Sequence, residues 1–352
     1  MAIIIALRHP VNGSTQSAAI KGGRMNPAPS LARVRKVIDN GTVFVLTTHI
    51  YPDGDAIGST VAHLRLLRSM KKRAVAIIPS PIPPIYRFLD RKGDLLVYRR
   101  KHDLLIAGAD ALFILDSSTN DRLGPIYEVA RRSGVRRVCI DHHPGNTVEA
   151  EVTLVEVNAC STAQLIYELY LACGCEIGRD AAIALYTGMH TDTVSFNFLG
   201  TTARTHEIVA DLLSRGVDPK EVWLQIYGND SPRLLKLAGI TLAGLRTAAK
   251  GRIAWVVVRE PQLRRLRVNP SETESFTRYP LTIKGVGVIA LFCEEGKRQV
   301  RVSLRALDST DVGKIARALG GGGHSTSAGV RMEEPLPRVV RKIIKALMRR
   351  TR

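Results

Sequence analysis

Apolar positions in the first half of the chain come in short runs, at residues 43–46, 74–78, 111–115 and 135–140. Runs this short and this apolar are what strands buried on both faces of a parallel sheet leave in sequence. Between the first two, Ile57, Val61, Leu64 and Leu67 recur at helical spacing. Strand alternating with helix predicts an α/β fold, a doubly wound parallel sheet in the N-terminal domain. Further on, residues 300–306 alternate as a half-buried strand, and residues 311–319 read as a helix capped by Asp311. The last periodic stretch puts Val339, Val340, Ile343, Ile344 and Leu347 on one helical side, so the C-terminal part reads as a smaller α/β domain.

Residues 1–24 show no periodicity and read as a leader. Met25 offers a second start, and Ser30 reads as the cap of a helix running to about Ile38. The expected divisions are then 25–200 for the first domain, 201–231 for a helical linker broken at residues 228–232, and 232–346 for the second domain. A chain of 352 residues exceeds one typical core, which agrees with two.

Each strand-like run of the first domain except 74–78, which leads into a proline-dense loop, ends on chemistry. Residues 43–46 lead into 47–59, where His49, Asp53 and Asp55 stand in the pattern H-x-x-x-D-x-D at a strand-to-helix turn. Asp53 also fits an ordinary Pro-Asp-Gly turn with an aspartate cap, and this stretch alone does not separate the two. Recurrence does. Residues 111–115 end on Asp116, and residues 135–140 end on Asp141, His142 and His143. Ligands of such sheets bind at the carboxyl ends of the strands, so these groups converge on one crevice. Asp192, expected just past a helix ending near Gly188, adds a further carboxylate. Carboxylates gathered this closely need a cation among them, and oxygen and nitrogen donors suit Mn²⁺, with Mg²⁺ as the alternative.

Composition removes several classes. Apolar content of 45% with 24% charged residues excludes a disordered chain, and no apolar run is long enough to span a bilayer. The five cysteines make no C-x-x-C pair and read as reduced thiols of a cytoplasmic protein. A net charge of +19 favours polyanionic partners, although solvated Lys/Arg faces give the same total.

The motifs H-x-x-x-D-G-D-A-x-G-S, Asp116 at a strand end, D-H-H and T-D-T, in this order, resemble those of the DHH phosphoesterase superfamily. Within it they resemble the branch of bifunctional oligoribonucleases and 3′-phosphoadenosine 5′-phosphate phosphatases. A second resemblance, S-x-R at Ser303 and Arg305 followed by G-G-G-G-H-x-x-x-A-G, is to the DHHA1 domain that accompanies it. Consecutive glycines let backbone N–H groups approach a phosphate closely.

The resemblance implies two divalent cations. His49, Asp53 and Asp116 would hold one, and Asp55, Asp116, His142 and Asp192 the other, with Asp116 shared. Asp141 would orient a histidine and His143 would face the scissile phosphate. Arg305, Gly321, Gly322, Gly323 and His324 would hold the substrate's far end across a cleft between the domains. The implied activity is metal-dependent hydrolysis of short RNA or DNA oligonucleotides, or of 3′-phosphoadenosine 5′-phosphate, by an enzyme for which a homodimer is left open. Cyclic or linear dinucleotides are an alternative substrate. A RecJ-like single-strand exonuclease is another, disfavoured by 5% aromatics. A nucleotide-binding protein with a retired site is the non-enzyme alternative, disfavoured because every implied ligand is present. Val194, Asn197 and Gln164 depart from the residues common in relatives, and none is an implied ligand.

Overall fold

The computed structural model describes residues 29–350 other than 198, 199 and 324, so the leader at 1–24 and His324 lie outside the described residues. The chain divides into two compact units at Ile226/Tyr227.

In the first unit, α1 (Pro29–Asn40) leads into β1 (Val43–Thr47), α2 (Gly54–Ser69), β2 (Arg73–Ile78), β3 (Leu95–Val97), α3 (Asp103–Ala107), β4 (Ala111–Leu115), α4 (Pro125–Ser133), β5 (Arg137–Asp141) and β6 (Val152–Val155). Helices α5 (Thr162–Cys173), α6 (Arg179–Asp192), α7 (Ala203–Ser214) and α8 (Pro219–Tyr227) follow. The strands form one parallel sheet in the order β3-β2-β1-β4-β5-β6. Every residue of β4 is buried, as its unbroken apolar run predicts. The order reverses at β1, with β2 on one side and β4 on the other, the switch point where doubly wound sheets open a crevice.

Two local expectations are corrected. Ser30 lies inside α1, which starts at Pro29; proline fits a first helical position because the N–H it lacks would have had no partner there. Helix α6 does not stop near Gly188 but runs on to Asp192. Gly188 is there for contact: a Cβ on it would sit 2.6 Å from Ala163 Cβ and 2.7 Å from Asp55 Oδ1. Across the same interface a Cβ on Gly58 of α2 would strike the Ala184 carbonyl oxygen. The two glycines let the backbones of α2 and α6 approach, which carries Asp55 and Asp192 toward one place. Residues 203–214 pack on the first unit, with Tyr167 donating to Asp211 at 2.9 Å and Arg204 to Glu168 at 2.9 Å.

The second unit contains α9 (Pro232–Ala243), β7 (Arg246–Ala248), β8 (Ile253–Val258), α10 (Glu260–Leu266), β9 (Val288–Gly296), β10 (Gln299–Ala306), α11 (Val312–Arg317), β11 (Gly322–Gly323), β12 (Ser327–Met332) and α12 (Leu336–Met348). Its mixed sheet has the order β11-β12-β10-β9-β8-β7. Val339, Ile343 and Leu347 of α12 pack with Val302, Leu304 and Phe292 in one core. Asp311 caps α11 as expected, accepting from Lys314 N at 2.8 Å, and the helix ends at Arg317.

Candidate active site

The expected residues of the first unit meet at the carboxyl ends of β1, β4 and β5. His49 follows β1 and is buried; its Nδ1 lies 2.8 Å from the Ile50 carbonyl, so Nδ1–H donates and Nε2 is left with a lone pair. That Nε2 lies 3.6 Å from Asp116 Oδ2 and 4.0 Å from Asp53 Oδ1. Asp53 is also the cap of α2: its Oδ1 accepts from Asp55 N and Ala56 N at 3.1 Å each. Asp53 thus caps the helix and at the same time stands beside His49.

Asp116, just past β4, is buried and adopts φ 55°, a left-handed conformation costly for a residue with a Cβ. Its Oδ1 lies 3.8 Å from His142 Nε2 and 3.6 Å from His143 Nδ1, so one carboxylate reaches toward imidazoles from both sides. His142 Nδ1 lies 3.3 Å from the Ala159 carbonyl, which leaves Nε2 buried and without a hydrogen-bond partner although Asp192 Oδ2 is 3.2 Å away. A lone pair and a carboxylate facing each other repel, and a cation between them removes the repulsion. Three sets of donor atoms lie mutually within 4.8 Å: His49, Asp53 and Asp116; Asp55, His142 and Asp192; and Asp116, His142 and His143.

Asp141 and His143 form a pair beside these sets. His143 Nδ1 donates to Asp141 Oδ1 at 2.6 Å, and Asn146 Nδ2 donates to Asp141 Oδ2 at 2.6 Å. His49 and His142 face Asp116 with Nε2, whereas His143 faces it with Nδ1, which Asp141 already occupies.

Backbone donors complete the site. Asp55 Oδ2 accepts from Thr162 N at 2.6 Å and its Oδ1 from Ala163 N at 2.9 Å, so the carboxylate sits on the N-terminus of α5. Thr162 Oγ1 donates to Asp116 Oδ1 at 3.1 Å. The signal that could have found this end is Ser161-x-x-Gln164: Ser161 Oγ accepts from Gln164 N at 3.2 Å, and Cys160 N donates to Gln164 Oε1 at 3.0 Å. The Gln164 departure therefore serves the turn.

Electrostatics agree with a shortage of positive charge. Burial, then the charges of Asp116, Asp192 and Asp53, push the Asp55 carboxyl well above the usual range. Burial and the Asp116 charge do the same to Asp192. For Asp116 burial works upward, but the neighbouring imidazoles of His49, His143 and His142, which favour its charged form, override it and hold the group down. Burial would lower His143, yet the Asp141 hydrogen bond and the Asp116 charge raise it to about 9. Burial lowers His142. These groups could hold divalent cations, and the orphaned His142 Nε2 is the observation that fits them best.

In the second unit, Arg301, Ser303 and Arg305 share one face of β10. Arg305 donates to Glu274 Oε1 at 3.0 Å, Ser303 Oγ to Glu274 Oε2 at 2.8 Å, and Arg301 also bonds Glu274. Glu274, in the 3₁₀ segment Pro270–Arg278, was not expected from the sequence, since its surroundings carry no periodicity. Gly322 and Gly323 form β11, paired with Gly329 and Ala328. This strand is at the sheet edge, so among the described residues one side of its backbone has no strand neighbour.

The DHH family N-terminal domain matches residues 43–189, and the DHHA1 domain matches residues 253–351. The chain belongs to the DHH family. It is 29% identical over 303 residues to the bifunctional oligoribonuclease and PAP phosphatase NrnA of Thermus thermophilus, covering 86% of this chain and 87% of that one. To the protein of the same name from Bacillus subtilis it is 26% identical, covering 81% and 88%. Among solved structures, an exopolyphosphatase-related protein from Bacteroides fragilis superposes with a TM-score of 0.86 at 25% identity, covering 91% of this chain and 96% of that one. Among the described residues of this DHH protein, no helix is long and apolar enough to cross a membrane.

Proposed function

We propose that this DHH-family phosphoesterase hydrolyses short oligonucleotides to 5′-mononucleotides and also acts on 3′-phosphoadenosine 5′-phosphate. The observation that carries the reading is the pair of three-donor sets, His49/Asp53/Asp116 and Asp55/His142/Asp192, with Asp116 within reach of both. Similarity over more than four-fifths of two relatives named for these activities supports the substrate class. The five free cysteines support a cytoplasmic setting.

His49, Asp53 and Asp116 would hold one divalent cation, and Asp55, Asp116, His142 and Asp192 the other. Bound there, Mn²⁺ or Mg²⁺ would supply an acidified water and neutralise charge on the phosphate. The protein's own groups do the rest. Asp141, itself held by Asn146, fixes the orientation of the His143 ring and keeps it cationic at neutral pH. The His143 Nε2–H then donates to a phosphate oxygen as charge builds on it. Backbone N–H groups of Thr162 and Ala163 keep the Asp55 oxygens fixed. Arg305 and the backbone of Gly321, Gly322 and Gly323, together with His324, hold the anionic end of the substrate.

The test is kcat/KM with Mn²⁺ on a panel: a diribonucleotide, a dideoxyribonucleotide, a long single strand, 3′-phosphoadenosine 5′-phosphate and a cyclic dinucleotide. The expected ranking puts the diribonucleotide first with the bisphosphate hydrolysed as well. A ranking led by the cyclic dinucleotide or the long strand overturns the substrate assignment, and no turnover of any member overturns the reaction.

A further inference from the structure

A second feature of the molecule belongs to none of this chemistry. Along α12, Val340, Ile344 and Met348 recur every four residues and, with Trp255 of β8, line a groove of about 430 Å³. Arg341, Lys345 and Arg349 each follow one of them and line the same groove, and among the described residues no carboxylate lines it. Other cations of the helix are engaged: Arg338 lies 3.9 Å and Lys342 3.0 Å from Glu334. Among the described residues no ion pair engages Arg341, Lys345 or Arg349, and all three are exposed. Basic residues in a last turn complement the helix dipole, which accounts for Lys345 and Arg349. It accounts neither for Arg341 nor for the apolar floor that Trp255 and Met348 leave open, Met348 being 53% exposed.

We infer that this groove binds single-stranded nucleic acid, with phosphates on Arg341, Lys345 and Arg349 and a base against Trp255 and Met348. Residues four apart on a helix rise by about 6 Å, comparable to the step between phosphates of an extended strand. Cations in line beside an indole and aliphatic surface are the combination that holds unpaired strands, through the backbone charge on one side and base faces on the other. A duplex keeps its bases stacked inside and would leave the apolar floor unused. An acidic membrane asks for a broad exposed apolar face, whereas Val339, Ile343 and Leu347 of α12 are buried against the protein's own sheet. The lining offers no carboxylate or amide to read a 2′-hydroxyl, so RNA and DNA bind alike. This site would tether strands too long for hydrolysis of short oligomers, and it does not depend on that activity.

The experiment is fluorescence anisotropy on the full chain, with divalent cations chelated. The probes are labelled oligouridine and oligothymidine of about twenty nucleotides, longer than the ~4–16 a site of this kind covers. The R341E/K345E/R349E variant should weaken binding by about tenfold or more and lower the log–log salt slope by about 2, at ~0.7 per lost phosphate contact. Trp255→Leu should weaken it by about tenfold with the slope kept. Circular dichroism and dinucleotide hydrolysis should be unchanged in the triple variant, which separates this site from the catalytic reading. Binding by the triple variant equal to that of the native chain overturns the proposal. So does a native chain that binds neither strand, or a triple variant that loses only binding to phosphatidylglycerol vesicles.

Discussion

The two units treat clustered charge in opposite ways. In the second, Arg301, Arg305 and Ser303 close on Glu274, while Arg301 and Arg331 close on Glu295 at 2.9 and 3.1 Å, so the donors and acceptors of β10 find each other. Arg305 and Arg301 hold Glu274 below its usual range against the upward push of burial. In the first, Asp53, Asp55, Asp116 and Asp192 crowd around imidazoles whose lone pairs point at them, and burial raises Asp55 and Asp192. One network pairs its charges within the protein, and the other leaves donor sets that could hold cations. Asp55 and Asp116 are the buried members of this set, and like charges buried together persist in a fold when something outside the chain compensates them.

The sharpest way to break this contrast is Asp116→Ala. Asp116 is the carboxylate within reach of both His49 and His142, so its loss should empty both donor sets at once. Metal content by elemental analysis should fall together with Mn²⁺-dependent dinucleotide hydrolysis, the latter by more than about a thousandfold, since removing even one aimed donor costs ~10²–10³. A variant that keeps its metal, or near-normal turnover, shows that the sets are independent of Asp116.

The next effect is on stability and has a definite sign. In chelated protein, His143 at about 9 stands above its ordinary value of 6.5, so its contribution is fully present below pH 6.5 and is lost as pH rises through 9. Asp55 and Asp192, also raised, bind protons in the folded chain that the unfolded chain has released, so they too make stability fall with rising pH. The metal-free protein should therefore lose thermal stability from pH 6 to 9, by about 3 kcal/mol at most for His143. Saturating Mn²⁺ should flatten the profile, because cations replace those protons. Thermal unfolding with and without chelator measures this, and a metal-free profile that rises with pH contradicts the charge balance described above.

How much of this was legible in the sequence follows from what kind of group each residue is. Strands β1, β4 and β5 are buried on both faces and leave apolar runs, and a polar residue at the end of such a run is where the sheet stops; Asp116 and Asp141 to His143 were readable for that reason. The role of Gly188 was not, because a glycine in a helical pattern reads as a stop unless one knows which helix lies against it. The partners of Asp55 are the backbone amides of Thr162 and Ala163, and amides carry no residue signature. Glu274 sits in a 3₁₀ segment whose place beside β10 is a tertiary fact.

Gly188 gives the next test. Alanine is the better helix former by about 1 kcal/mol, so exposure alone would make Gly188→Ala stabilising. Here the added methyl would meet Ala163 Cβ at 2.6 Å and Asp55 Oδ1 at 2.7 Å. The expected result is a net loss of about 1–3 kcal/mol from overpacking, with weaker metal binding because Asp55 is pushed from the α5 amides. Chemical denaturation and a Mn²⁺ titration read the two effects, and a more stable variant with native metal affinity would remove the close approach of α2 and α6 from the account of the site.

The smallest effect tests the closed network. Arg305 is proposed to hold substrate, yet one of its nitrogens is already engaged by Glu274. Two outcomes of opposite sign follow. If Glu274 competes with the substrate, Glu274→Gln frees the guanidinium and lowers KM. If it positions Arg305, the same change raises KM. Glu274 is itself held by Ser303 and Arg301, and a carboxylate fixed by other partners cannot follow Arg305 away, so it acts as a rigid anchor. Glu274→Gln should therefore raise KM by about threefold, and Arg305→Ala by about tenfold, the scale of one charge-assisted hydrogen bond. Both should spare kcat and metal content, and Glu274→Gln should add little on the Arg305→Ala background because the group it positions is gone. A lowered KM in Glu274→Gln would turn the anchor into a competitor, and additive changes in the double variant would mean that Glu274 meets the substrate by itself.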